Sequence, residues 1–84
     1  MTEHEFEVLD ELYFVISYGE LNSSIEMSER DLIDTLEMLW KKGWIRVLKN
    51  TERDEDETKV DIASQYSSYF YLASKKGLFA HNSN

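Results

Sequence analysis

Two histidines and one run of acidic residues are the side chains in this sequence whose types could support catalysis or metal binding. His4 and His81 lie at opposite ends of the chain, and neither is placed with a carboxylate and a nucleophile in a recognisable catalytic pattern. We interpret both as exposed terminal histidines. The run from Asp54 to Glu57 offers oxygen ligands, but it lacks the glycine and the later bidentate glutamate that a calcium loop requires. We therefore predict a protein that is not an enzyme and that binds no metal and no cofactor.

The isolated glycines and the absence of cysteine exclude further kinds of functional site. Gly19, Gly43 and Gly77 are isolated, which is typical of helix ends and not of a phosphate-binding loop. The absence of cysteine excludes disulfides, thiolate zinc sites and a cysteine nucleophile, and it is compatible with a reducing compartment. The sequence has neither an apolar run of about 20 residues nor the pattern of a signal peptide, so we expect a cytoplasmic protein that does not use a membrane.

The charge balance constrains the partners of this protein. The chain has 17 acidic and 9 basic residues, which gives a net charge of −8. Double-stranded DNA and anionic lipid surfaces repel such a protein at long range. The 84 residues, 42% of them hydrophobic, are enough to build one compact core. We therefore predict a single domain over residues 1–84.

The elements of the chain are organised around the stretch from Ser28 to Gly43. Ser28 is a good N-cap, basic residues occupy the last turn, and Gly43 can end the helix in the left-handed conformation. The apolar residues of this stretch share one helix face: Leu32, Ile33, Leu36, Leu39 and Trp40. Immediately afterwards Ile45 and Val47 alternate with a polar residue. The pattern predicts a helix that runs directly into a strand over residues 44–50.

A first helix is predicted over residues 3–18, and it has more apolar residues than one side of a small core can use. Residues 12–16 are apolar nearly all round the predicted helix. Either this helix lies deep between other elements, or it also forms a subunit interface in a symmetric homodimer. We favour the homodimer, with its interface on one stripe of the helix: Val8, Leu12 and Val15. A short second helix is predicted over residues 20–27.

The connection after the first strand is longer than an ordinary hairpin loop and is expected to have structure of its own. Residues 51–58 are polar and strongly charged, which is typical of a solvated tip. Val60 and Ile62 alternate with polar residues, but the structure of residues 59–62 stays open. For residues 63–68, the sequence does not decide between a loop, a helical turn and a strand.

The carboxyl-terminal part of the chain predicts a second strand and a last helix. Residues 69–72 form an aromatic strand that pairs with the first strand, and its tyrosines either pack in the core or form an exposed interface. Ser74 is a suitable N-cap for a helix over residues 74–81. Leu78 and Phe79 of that helix are expected to turn back onto the core.

The order of these elements resembles the winged helix-turn-helix superfamily of bacterial transcriptional regulators. Residues 20–28 are similar to the second helix and turn of the family, and Lys42-Gly-Trp-Ile45 is similar to the end of its recognition helix. Tyr71-Leu-Ala-Ser-Lys-Lys-Gly77 resembles the entry to the helix after the wing. The resemblance covers roughly residues 6–80. It implies a mostly helical α+β fold with a three-helix core, a β-hairpin wing and a short carboxyl-terminal helix.

The resemblance further implies that the third helix enters the major groove of DNA while the wing lies along the backbone. The expected contacts of a dimeric DNA-binding regulator would be Arg30, Thr35, Arg46 and Lys49. Acidic residues oppose this function, because phosphate contacts must hold such a protein in register on the duplex. They are concentrated on the third helix and in the wing: Glu29, Asp31, Asp34, Glu37, Asp54 and Glu55.

We therefore expect a non-enzymatic regulatory module that acts mainly through protein–protein contacts. Its acidic third helix and wing would bind a protein partner with a basic surface, because opposite charges across an interface select the partner. A small DNA-binding transcriptional regulator that acts as a dimer is the alternative. The remaining lysines are interpreted as helix-end and solvated residues, and less readily as a displaced nucleic-acid footprint.

Overall fold

The protein is a mostly helical α+β domain with a small antiparallel sheet, as a computed structural model shows. The structure describes residues 1–50, 53–54 and 59–83. In chain order the described elements are α1 (Glu3–Asp10), β1 (Ile16–Ser17), α2 (Tyr18–Ser24), α3 (Glu29–Lys41), β2 (Ile45–Asn50), β3 (Arg53–Asp54), α4 (Ile62–Gln65), a 3-10 turn (Tyr66–Ser68), β4 (Phe70–Ala73) and α5 (Lys75–Asn82). Of the helices described in these ranges, none has the length and apolar character that crossing a bilayer requires.

The central helix, α3, begins and ends where the sequence predicts. The Ser28 hydroxyl accepts a hydrogen bond from the backbone N–H of Asp31 at 3.1 Å, and Gly43 takes a φ of 74° after the last turn. The core is centred on the leucines of α3, which have no exposed surface: Leu32, Leu36 and Leu39. Because α1, α4 and β2 all pack against α3, this helix positions most of the domain.

The predicted pairing of the two main strands is confirmed. β2 and β4 are antiparallel, with Ile45 opposite Ala73 and Leu48 opposite Phe70. The sheet has the order β1-β4-β2-β3, so that β1 extends it beyond β4 and β3 extends it beyond β2. Ser74 caps α5 as predicted, since its hydroxyl accepts from the backbone N–H of Gly77 at 3.0 Å.

The prediction that the first helix continues to residue 18 is wrong. α1 ends at Asp10, and the apolar residues that follow it form the strand β1 and its approach. The carbonyl oxygen of Leu12 accepts a hydrogen bond from the N–H of Ala73 at 2.7 Å, and Ile16 pairs with Tyr71. The backbone of this segment therefore bonds to the sheet, where β-branched residues such as Ile16 are favoured, and it forms no additional turns of helix.

Both ends of α2 also differ from the prediction, and the undecided segment before β4 is helical. α2 begins at Tyr18, because Ser17 caps it by accepting from the backbone N–H of Glu20 at 3.2 Å, and it ends at Ser24 instead of residue 27. Asp61 caps the short helix α4 at its first turn, and a 3-10 turn follows. The open choice for residues 63–68 is thus resolved as helical turns.

Side-chain burial corrects the predicted dimer interface on the first helix. Val8 and Leu12 have no exposed surface and lie in the core of this chain, while Val15 is half-buried. Buried core residues cannot also contact a second subunit, so any interface must lie on a different surface. Tyr69 and Tyr71 are buried as well, which settles the aromatic strand as core. Phe79 does not turn inward, because 76% of it is exposed.

The contact between α5 and the end of α3 leaves no space for a side chain at Gly77. A Cβ atom at this position would overlap the backbone carbonyl of Trp44, and that carbonyl is fixed because it accepts from the N–H of Ser74 at 2.9 Å. We therefore expect Gly77→Ala to lower the free energy of unfolding by about 2 kcal/mol or more in a chemical denaturation experiment.

Gly19→Ala is the matched control, since Gly19 also lies in a helix but has open space where its Cβ would be. It should leave the stability unchanged or raise it by up to about 1 kcal/mol, because alanine restricts the unfolded chain. Equal stability of the two variants would contradict the described packing of α5.

Candidate binding face

The exposed side of α3 presents a set of carboxylates that we call the acidic face: Glu29, Asp31, Asp34 and Glu37. Glu29, Asp31 and Asp34 are exposed, and Glu37 is half-buried. The leucine stripe of α3 fixes this arrangement, because burying the stripe turns the intervening residues toward solvent. Arg30 is exposed on the same helix and is outnumbered by these acids.

A shallow groove between α3 and α4 lies beside the acidic face. It has a volume of about 360 Å³ and is lined by Glu29, Arg30, Ile33, Asp34, Glu37 and Ala63. Ile33 is half-buried against the core, so the groove combines an apolar floor with a rim of charged side chains. Such a groove is suited to a side chain that has an apolar stem and a cationic end.

A second groove lies on the opposite side of α3, against the start of α1. It has a volume of about 270 Å³ and is lined by Thr2, His4, Glu5, Asp34, Thr35, Met38 and Lys42. Asp34 lines both grooves and therefore stands on the ridge between them. A partner that covers either groove would contact the Asp34 carboxylate.

A hydrogen bond from a buried tyrosine of α2 holds the carboxylate of Glu29 in place. The hydroxyl of Tyr18, a residue with only 5% exposed surface, donates a hydrogen bond to Glu29 Oε2 at 3.0 Å. Burial and the nearby Glu29 charge both raise the pKa of Tyr18 above its ordinary range, so that it remains a donor. The ring of Tyr18 also packs edge-on against Tyr66, at 4.9 Å between ring centroids. The first turn of α3 is thereby anchored to its neighbours.

A charged pair closes the floor of the second groove. Lys42 Nζ lies 2.6 Å from Glu5 Oε2 and 4.6 Å from the centroid of the Trp44 ring. Glu5 also completes a capping box with Thr2, which places its carboxylate at the start of α1. Burial raises the pKa of Glu5, but the hydrogen bonds and charge of Lys42 and the backbone of Thr2 outweigh burial and lower it.

The residues predicted to contact DNA do not all reach the surface. Thr35 has 6% of its surface exposed, and its hydroxyl donates to the backbone carbonyl of Asp31 at 2.7 Å. The prediction that Thr35 contacts a nucleic acid is therefore wrong, because its hydroxyl is used within the helix. Arg30, Arg46 and Lys49 are exposed.

The wing part of the predicted acidic site cannot be assigned to a face. Asp54 belongs to β3, but its side chain lies outside the described residues, and so does the whole of Glu55. Within the part of the chain that the structure describes, no three histidine or carboxylate side chains are grouped as metal ligands would be. The candidate site thus consists of the acidic face and its two grooves.

His81 is a buried residue that the sequence did not indicate. It has 9% exposed surface, which corrects the interpretation of an exposed terminal histidine, whereas His4 is exposed as predicted. The Tyr13 hydroxyl lies 2.8 Å from His81 Nδ1, and the Phe6 ring stacks on the imidazole at 4.3 Å between centroids. These partners are distant in sequence, so no local spacing could have revealed the cluster.

Comparisons with known proteins add no identification. No protein-family model, no curated protein and no solved structure matches this chain.

The Glu5–Lys42 pair makes stability depend on pH. Because the folded state lowers the pKa of Glu5, its contribution is present above the unfolded pKa and is lost as the pH falls through the folded pKa. We expect Glu5→Gln to lower the free energy of unfolding by about 1–2 kcal/mol at neutral pH, with a smaller deficit at about pH 3.

Urea denaturation across this pH range measures the effect, with Glu3→Gln as the control on the same helix. Glu3 is exposed, so its variant should stay within about 0.5 kcal/mol of the unmodified protein at every pH. A deficit of Glu5→Gln that does not shrink in acid would contradict the role assigned to the ion pair.

Proposed function

We propose that this chain is a winged-helix regulatory module that is not an enzyme and that binds a basic segment of a protein partner through the acidic face. The winged-helix assignment is supported by the element order, in which α2 and α3 precede the β2–β4 pair and α5 follows it. It is also supported by β1, which joins the far side of β4.

The observation that carries the proposed function is the exposure of several carboxylates on α3. In the winged-helix superfamily this helix commonly enters the major groove, where it must lie close to phosphates. Each carboxylate that faces a phosphate at a partly desolvated contact costs on the order of 1 kcal/mol. The same carboxylates favour a cationic partner by comparable amounts. The acidic face therefore disfavours DNA and favours a basic protein surface.

The lining of the grooves favours, as the bound ligand, a peptide-like segment that alternates basic and apolar side chains. Lysine and arginine can place their apolar stems on Ile33 and Ala63 while their charged ends reach Asp34 and Glu37. A partner with only apolar contacts would leave these carboxylates desolvated and unpaired, which is costly. The recognised chemistry is thus a cationic side chain on an amphipathic segment.

DNA binding is the second candidate, and exposed basic residues favour it. Arg30 lies in the first turn of α3, and Arg46 and Lys49 lie on β2. These three residues could contact phosphates. Thr35 is no longer among the predicted contacts, because its hydroxyl bonds to the backbone of α3.

Charge reversal on the ridge of α3 tests the protein-binding proposal. We expect Asp34→Lys combined with Glu37→Lys to weaken binding of a fluorescent amphipathic peptide, built from lysine and leucine at helical spacing, by about tenfold or more. Fluorescence anisotropy measures the affinity, and circular dichroism checks that the variant remains folded.

The matched control reverses two acids away from α3, Glu20 and Glu26, which changes the net charge by the same amount. This control should lose much less affinity, because only long-range attraction is reduced. Equal losses in the two variants, or no loss in either, would contradict a binding site on the acidic face.

A further inference from the structure

Four aromatic side chains among the described residues keep much of their surface exposed. The exposed fractions are 84% for Phe14 and 76% for Phe79, with Tyr13 at 42% and Phe6 at 38%. They come from α1, from the segment directly after it, and from α5. The exposed part of an aromatic side chain adds little to the stability of a monomer, whereas aromatic residues are enriched at protein interfaces.

Two of these residues contact α5 through His81 and Asn82. Phe6 stacks on the His81 ring at 4.3 Å between centroids, and Tyr13 packs edge-on against it at 5.4 Å. The Tyr13 hydroxyl also donates to the Asn82 side chain at 3.0 Å, and Asn82 stands three residues after Phe79 on the same side of α5. Phe14 follows Tyr13 directly. We call the surface formed by Phe6, Tyr13, Phe14 and Phe79 the aromatic surface.

Charges of opposite sign lie on the two helices that carry this surface. On α5, Lys75 and Lys76 are exposed and stand four and three residues before Phe79, which places them on the same helix side. On α1, Glu3 is exposed and stands three residues before Phe6, whereas Asp10 Oδ1 lies 3.4 Å from His81 Nε2 of the same chain. The aromatic surface thus has a cationic helix on one side and an anionic helix on the other.

We propose that the aromatic surface is the interface with a second copy of this chain, arranged with two-fold symmetry so that α5 of each copy faces α1 of the other. A two-fold interface brings a surface against itself, and a surface with both charge signs can then pair all of its charges. A partner of a single sign would leave either the lysines or the carboxylates opposed by like charge. The layout therefore favours self-association over a different partner.

The exposed aromatic area is of the size that a reversible dimer needs. An aromatic side chain offers about 150–250 Å² when fully buried, so the four exposed fractions amount to roughly 360–600 Å² per copy. Two copies would bury roughly 700–1,200 Å² of aromatic surface before the charged rim is included. Stable interfaces bury about 1,200–2,000 Å² in total, so the rim on α1 and α5 would complete an interface of ordinary size.

This inference is independent of the function proposed for the acidic face. The acidic face belongs to α3, and none of the four aromatic residues lines either of its grooves. A dimer could therefore exist without the proposed partner, and the partner could bind without a dimer. The experiments below report on the dimer alone.

Sedimentation equilibrium of the full chain tests the proposal. We expect a mass equal to two chains at about 100 µM protein in moderate salt, and a mass equal to one chain for the variant Phe14→Ser with Phe79→Ser. Both substituted residues are exposed, so the circular dichroism and the denaturation midpoint should change little. The control is Met38→Ser, which removes a 49% exposed apolar side chain from α3 and should leave the dimer intact.

A charge-swap experiment tests the arrangement of the two helices. One variant reverses the α5 lysines, K75E with K76E, and a second reverses the exposed α1 carboxylate, E3K. Each variant alone should dimerise at least about tenfold more weakly than the unmodified chain, because like charges then meet in both contacts. An equimolar mixture of the two variants should recover the affinity, since opposite charges meet again.

A monomeric mass for the unmodified chain under these conditions would overturn the proposal. So would a dimer that survives loss of both phenylalanines, because it would use a different surface. Failure of the mixed charge-swap variants to associate would overturn the pairing of α5 with α1.

Discussion

The leucine stripe of α3 can leave water only if α1, α4 and β2 pack against it together, so its burial determines where these elements lie. Each fully buried leucine contributes about 1.5–3 kcal/mol, so three of them outweigh a single partly exposed ion pair. The stripe also fixes how α3 is rotated. With Leu32, Leu36 and Leu39 inside, Thr35 is turned toward the core and Asp34 toward solvent. The acidic face is therefore a consequence of core packing.

The two ends of the chain are joined by contacts that lie far apart in sequence. The carbonyl of Leu12 accepts from Ala73, and Tyr13 meets His81 on α5. Gly77 lets α5 approach the backbone of Trp44 closely. These contacts place α1 and α5 side by side, and they bring together the aromatic side chains that neither helix buries. The surface proposed for self-association thus arises from the same contacts that close the fold.

Short sequence patterns were sufficient to predict some helices and strands and insufficient to predict others. The Ser28 cap, the leucine spacing and Gly43 specify α3 within a short stretch, and the pairing of β2 with β4 follows from two alternating segments. The end of α1 depends instead on hydrogen bonding to β4, about sixty residues later, so an apolar run that suits a helix becomes strand. His81 was misjudged for the same reason, because the rings that bury it are distant in sequence. The carboxylates of α3 were predictable, since a buried stripe determines the exposed residues between its members.

The proposed function requires that the exposed carboxylates of α3 favour a cationic protein segment and disfavour phosphates. Fluorescence anisotropy of a labelled mixed-sequence DNA duplex tests it most directly, because non-specific binding to DNA is electrostatic and strongest at low salt. We expect no binding at low salt with protein at about 100 µM, a concentration that would reveal even weak non-specific association. Binding that is present at low salt and fades as salt is added would overturn the proposed function and favour a DNA-binding regulator.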